Sequence, residues 1–229
     1  ATNALRITCN KNYGHTYGGG VDVYYKNQAF SGNYAVRFNM NLIEGFGSFT
    51  VEGVMFGINH DGTQTNWWLG NGNVLDGGPW SSDGVWYWVQ APPGGAGGFG
   101  FNDFQEYTGS GAVPNSGWTQ LAVANAKTGV YKHAVFTAPG VYSGGTPANN
   151  SAYSATPADS SWSDVEIKQL NGVVTMSIDK TPLFVYTNTS GFNSGDIMCG
   201  YDAPIQGAYN QYVNASDAAA YFSSLRVVQ

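Results

Sequence analysis

The sequence predicts an all-β protein folded as an antiparallel β-sandwich. Three observations carry that expectation. No stretch of 11 or more residues keeps the i, i+3, i+4, i+7 apolar pattern of a helix. Short runs that alternate apolar and polar residues recur instead, bounded by turn residues. Glycine counts 32 of 229 residues, about twice the usual share, which suits a chain with many tight turns.

The runs can be taken in chain order. "LRIT" before Cys9 reads as a strand. "YAVRFNMNL" puts Tyr34, Val36, Phe38, Met40 and Leu42 on one face and Ala35, Arg37, Asn39 and Asn41 on the other, a half-buried strand. "TVEGVMFGIN" offers Val54, Phe56 and Ile58 as its core side. In "VWYWVQ", period 2 sets Val85, Tyr87 and Val89 against Trp86, Trp88 and Gln90. From 91 to 160 the pattern weakens into two loops, "APPGGAGGFG" and a longer Gly/Ser/Ala/Pro-rich stretch. Loops of such length in a compact domain are usually functional or disordered. "DVEIKQL" and "GVVTMSID" then flank Asn171-Gly172, a strong hairpin signal. "PLFVYTN", "GDIMCGY" and "AYFSSLRVV" complete the run. Strands of the first half need partners that the second half supplies, so residues 1–229 read as one domain.

Charged residues make up 10% of the chain, against roughly 25% in an average protein. The net charge is −6, and the nine Lys and Arg residues are scattered. No basic stripe exists to neutralise phosphates, which argues against nucleic acid and anionic membranes. No apolar run reaches the ~20 residues of a membrane helix. Asn, Ser, Thr and Tyr take the surface that Lys and Glu normally hold. The chain opens "ATNALRITCN", without an initiator Met or signal-peptide pattern. These features suggest a mature or excised piece of a secreted or cell-surface protein. The two cysteines, Cys9 and Cys199, fall on expected strands near opposite ends. They would form a disulfide if the terminal strands pair; two buried free thiols are the alternative.

"WSDVEIKQLNGVVTMSIDKTPLFVYTNTSGFNSGDIMCGYDAP…FSSLRVV" resembles the closing strands of concanavalin A-like lectin/glucanase jelly rolls. "NQAFSGNYAVRFNMNL" and "FGINHDGTQTNWW" are similar to segments of an uncharacterised secreted bacterial branch of that superfamily. The matching stretches cover about two thirds of the chain. The resemblance implies a concanavalin A-like jelly roll but says little about activity, since one sandwich hosts lectins, hydrolases, lyases and inert modules. Two departures stand out. Ser223 and Ser224 replace an Asp-Asn pair common before the last strand, which weakens any calcium site using that Asp. Cys199 occupies a position usually aliphatic.

A glycosidase on this fold needs two facing carboxyl groups. The Glu-x-Asp-x-x-Glu motif of laminarinase-type glucanases is absent. Asp164 and Glu166, two apart on an expected strand, form the best local carboxylate pair, or else a solvated acidic edge. Glu52 is a weaker catalytic candidate. A lyase would call on His60, Asn59 or the Tyr and Gln of "GAYNQY", with only three arginines to neutralise a uronate. No Gly-x-Ser-x-Gly elbow occurs, and the three histidines lack metal-ligand spacing. Calcium, which takes loop oxygens, finds candidates in "NHDGTQTN", notably Asp61, and at Asp202; ordinary turn chemistry explains both equally.

Trp86 and Trp88 lie roughly 7 Å apart on one strand face, near the spacing of sugars along a chain. Trp67, Trp68 and Trp80 lie in loops that would rim that face. Asn59, His60 and Gln90 would fix hydroxyls beside the rings. Alternatively, residues 91–117 fold over the face and bury both rings as a second core. The leading expectation is therefore a non-catalytic, lectin-like module that binds a polysaccharide through exposed aromatics. Its rivals are a glycoside hydrolase or polysaccharide lyase on the same fold, and a structural surface module without ligand.

Overall fold

The computed structural model describes residues 3–8, 19–25, 27–43, 53–63, 81–90, 104–109, 111–112, 118–124, 162–203 and 219–229. These residues contain strands and turns and no helix. In chain order the strands are β1 (Ala4–Ile7), β2 (Gly19–Tyr24), β3 (Phe30–Ser31), β4 (Tyr34–Ile43), β5 (Gly53–His60), β6 (Ser81–Ser82), β7 (Val85–Gln90) and β8 (Phe104–Gly109). They continue as β9 (Gly111–Ala112), β10 (Trp118–Ala124), β11 (Ser163–Leu170), β12 (Val173–Ile178), β13 (Thr181–Thr187), β14 (Ser194–Ala203) and β15 (Ala219–Val228). They build a six-stranded sheet, β1-β15-β4-β11-β12-β13, and a seven-stranded sheet, β10-β8-β7-β5-β14-β2, with β3 beside β14. A small third sheet pairs β6 with β9. All registers are antiparallel, and the two large sheets pack as a sandwich.

Period-2 alternation places the core where the sequence anticipates it. Val36, Phe38 and Met40 of β4 face Val54, Phe56 and Ile58 of β5, with Val85, Tyr87 and Val89 beside them. Phe38 meets Phe56 edge-on at 5.3 Å between ring centroids. The Asn171-Gly172 hairpin forms as expected: both residues have positive φ, 52° and 77°, and Leu170 pairs with Val173. Two successive positive φ values are the demand of a type I′ turn, which Asn-Gly meets at little steric cost.

Two polar features lie inside the sandwich. Tyr34 Oη donates to Asn59 Oδ1 at 2.7 Å, and Asn59 Nδ2 donates to Gln169 Oε1 at 2.9 Å. This chain ties β5 to both β4 and β11 across the core. Deeper in, Tyr87 Oη donates to Glu106 Oε1 at 3.0 Å. Glu106 is 2% exposed, and burial pushes its carboxyl up to about 7, against a smaller downward pull from the Tyr87 hydrogen bond.

Of the two cysteines, the structure describes Cys199. Cys199 is a free, buried thiol. β14 carries it within the seven-stranded sheet, paired to Phe56 and Val23, with its side chain in the inter-sheet core. The N-terminal β1 instead pairs β15 in the other sheet. Cys9 lies outside the described residues. Burial pushes the Cys199 thiol up to about 12.

The buried carboxyl gives a pH dependence of defined sign. Between its ordinary 4.5 and about 7, Glu106 stays protonated in the folded chain and ionises in the unfolded one. The folded state then binds more protons, so stability falls as pH rises through that window. Urea melts at pH 5 and pH 8 should show the wild type weaker at pH 8. Glu106→Gln should remove this contribution, and an unchanged slope in the variant would exclude Glu106 as its source.

The Cys199 peptide of native protein should resist iodoacetamide at pH 8 and label fully in urea, because the thiolate forms poorly and lies buried. Recovery of that peptide disulfide-linked to the Cys9 peptide would contradict the structure.

Candidate functional site

The outer face of the seven-stranded sheet was the expected aromatic platform. In the structure it is a second core. Trp86 and Trp88 are both 0% exposed and cluster with Met55, Tyr107 and Met198. Every residue of β5 is buried, so the strand is covered on both faces. Trp86 sits in register between Gly57 and Tyr107 and stacks on the Tyr107 ring at 4.4 Å. A Cβ at Gly53 would run into the Trp88 indole, and one at Gly57 into the His60 ring. Glycine thus makes the room these large rings occupy. The exposed platform at Trp86 and Trp88 is corrected: alternation set the face rightly, but the rings fill space instead of meeting solvent. Trp67, Trp68, Trp80 and Glu52 lie outside the described residues, as does the side chain of Gln90.

The expected pair Asn59 and His60 is split between the two faces. β5 and β14 are in register at Gly57↔Met198 and again at His60↔Asp196, so β5 carries one extra residue. Asn59, with φ 64°, absorbs the bulge. Its side chain turns inward to the network with Tyr34, Gln169 and the Phe192 carbonyl. That makes Asn59 a buried structural tie, which corrects its expected ligand role. His60 turns outward, onto the Trp86 face, with its ring 5.7 Å from that of Tyr24.

His60 finds a partner that sequence reasoning missed. Its Nδ1 lies 2.9 Å from Asp83 Oδ1, with both side chains buried. The other oxygen of Asp83 accepts the Asp61 amide. Asp196 completes the group. Burial raises its carboxyl, Asp61 and Asp83 raise it further, and His60 opposes them. Only the turn-like "SSDG" before "VWYWVQ" hinted at Asp83, because 23 residues separate it from His60.

The two calcium candidates do not share a site. Asp61 adjoins the Asp196 end of β14, and its Oδ1 accepts from Thr63 N and Oγ1 in an Asx-type turn. Asp202 pairs with Gly53 six residues along β14, about 20 Å away at strand rise. Among the described residues, no group of three or more His, Cys, Asp or Glu side chains is placed to hold a metal.

The carboxylates Asp164 and Glu166 do come together in an open groove. It lies on the outer face of the six-stranded sheet and has a volume of about 400 Å³. Arg37, Asn39, Asp164, Glu166, Lys180 and Arg226 line it, with Ser177 at its side. Glu166 Oε2 accepts from Arg37 Nε at 2.6 Å across the β4–β11 register. The Asp164 amide donates to Asp179 Oδ1 at 2.8 Å, which fixes the end of the groove.

Truncating a buried ring separates core from platform. Trp86→Ala or Trp88→Ala should cost about 3–5 kcal/mol, the range for emptying an aromatic core position. Chemical denaturation would measure it. A variant as stable as wild type would show that the rings contribute little to the fold.

No protein-family model matches the sequence, and no curated protein matches it. Solved structures resemble it in fold. LamAcat from Zobellia galactanivorans has a TM-score of 0.46 and 12% identity, over 91% of this chain and 68% of that one. The carbohydrate binding module CBM66 from Bacillus subtilis has a TM-score of 0.43 and 9% identity, over 92% and 83%. The Emp46p carbohydrate recognition domain, in its metal-free form, has a TM-score of 0.49 and 11% identity, over 91% and 76%. All three scores lie below 0.5, and at such identities the likeness assigns neither a superfamily nor a role.

Proposed function

We propose that this protein is an extracellular glycan-binding module and that the groove on the six-stranded sheet receives the sugar. The observation that carries the reading is the groove's lining. Arginine and asparagine donors alternate with aspartate and glutamate acceptors on one open, pleated surface. Vicinal hydroxyls need such a mixture of fixed donors and acceptors. The groove's size falls within the roughly 300–1,000 Å³ of small-ligand sites. The low charge of the whole chain, and its Asn/Ser/Thr-rich surface, suit an extracellular setting.

A second reading is catalytic and rests on a different place. A carboxylate bonded to one imidazole nitrogen orients the ring for proton transfer, and Asp83 stands in that relation to His60. A hydrolase or lyase would use the pair near the Trp86 face.

A glycan array on the native protein, followed by calorimetric titration of the hits, tests the first reading. Asp164→Ala should weaken binding by about tenfold, as expected for losing a hydrogen bond to a charged group. The melting temperature should barely move, because the side chain is exposed. A wild type that binds no glycan would end this reading. Release of new reducing or unsaturated ends from a hit, abolished in His60→Gln, would replace it with the catalytic one.

A further inference from the structure

We infer that Arg37 and Arg226 clamp the oxyanion of an acidic saccharide, a uronate carboxylate or a sulfate ester, within the groove; the inference rests on the glycan-binding reading. The chain has three arginines, Arg6, Arg37 and Arg226, and two of them stand opposite each other here. Three of its nine basic residues, Arg37, Lys180 and Arg226, line this one groove. Against Asp164 and Glu166 the lining carries three positive and two negative charges, with the Asp179 carboxylate at its end, in a chain whose net charge is −6.

The register makes the juxtaposition deliberate. Arg226 of β15 is the Cα partner of Arg37 of β4. Directly opposed residues hold their Cβ atoms about 5 Å apart, and like charges in that position destabilise a sheet. A β-bulge creates the arrangement. From Ser223↔Asn39 to Arg226↔Arg37, β15 advances three residues while β4 advances two. Ser224 absorbs the extra residue at φ 56°. Phe222 faces the core, so unbroken alternation would also turn Arg226 inward. With the bulge, Val227 packs on the core and Arg226 faces the groove. Bulges re-aim side chains in this way.

The guanidinium groups are held for planar recognition. Glu166 takes Arg37 Nε, which fixes the group and leaves its terminal nitrogens as donors. Arg226 Nη1 donates to the Ser224 carbonyl at 3.3 Å. Two guanidinium forks match the oxygens of a carboxylate or sulfate bidentately, and such an anion between them relieves their repulsion. Asp164 and Glu166 would repel a densely charged polyphosphate. They suit a ligand with one oxyanion per sugar and hydroxyls on either side.

Calorimetry at low salt would use a galacturonate trimer, a sulfated galactose oligosaccharide, cellotriose as neutral control, and inorganic sulfate. The acidic oligosaccharides should bind wild type more tightly than cellotriose and weaken as salt rises. Arg226→Gln should weaken them by about tenfold or more, and Arg226→Lys by less, while cellotriose, which offers no oxyanion, loses a smaller factor in either variant. Without ligand, Arg226→Gln should melt at or above the wild-type temperature. A melt well below it would overturn the premise that the opposed pair is repulsive. Equal binding of acidic and neutral sugars, unmoved by either variant, would overturn the clamp and leave glycan binding standing. Failure of every saccharide to bind would overturn both. If sulfate alone bound as tightly as the sulfated sugar, the saccharide assignment would fall with the glycan-binding reading.

Discussion

One extra residue in β5 organises both faces of the seven-stranded sheet. Val54, Phe56 and Ile58 point inward, so simple alternation would send Asn59 out and His60 in. The bulge at Asn59 reverses both. Inside, the Asn59 amide spends its donors on Gln169 and the Phe192 carbonyl and its acceptor on Tyr34. An unpaired amide there would be costly, so each partner is held as firmly as Asn59 itself. Outside, His60 reaches Asp83 and Tyr24. The same residue therefore ties the sheets together and delivers the only histidine–carboxylate pair among the described residues.

The outer face then has to accommodate large rings. Two tryptophans on one strand need space above the neighbouring backbone, and Gly53 and Gly57 of β5 supply it. Trp86 fills its place by stacking on Tyr107. Burial of such rings contributes to stability more than any surface contact could. On the other large sheet, β4, β11 and β15 present polar residues at the groove.

On that side a second bulge repeats the device. Ser224 shifts the parity of β15 and brings Arg226 out beside Arg37. Glu166 accepts from the Nε of one of the two arginines, Arg37. Both bulges use a non-glycine residue in the left-handed region, which the surrounding ladder must enforce against a local preference. Each lies where the structure gathers its charged side chains.

The sequence by itself determined β4, β5, β7 and the C-terminal strands, the core faces of the first three and the Asn171-Gly172 hairpin, but not β2, β8 or β10, the last two in the stretch where its pattern weakens. Period-2 alternation and Asn-Gly turn chemistry are local, and Tyr34, Val36, Phe38, Val54 and Tyr87 follow them. It also placed Trp86 and Trp88 on one face and Asp164 and Glu166 on another. Only tertiary structure decided what those faces meet. Burial of the tryptophans depends on glycines some 30 residues away. Asp83 joins His60, and Arg226 joins Arg37, through pairings that no local pattern records. The parity of Asn59 and Arg226 depends on bulges, and a single inserted residue inverts every side chain after it. The free thiol at Cys199 has the same origin: which sheet a strand joins is fixed by long-range pairing, not by its own composition.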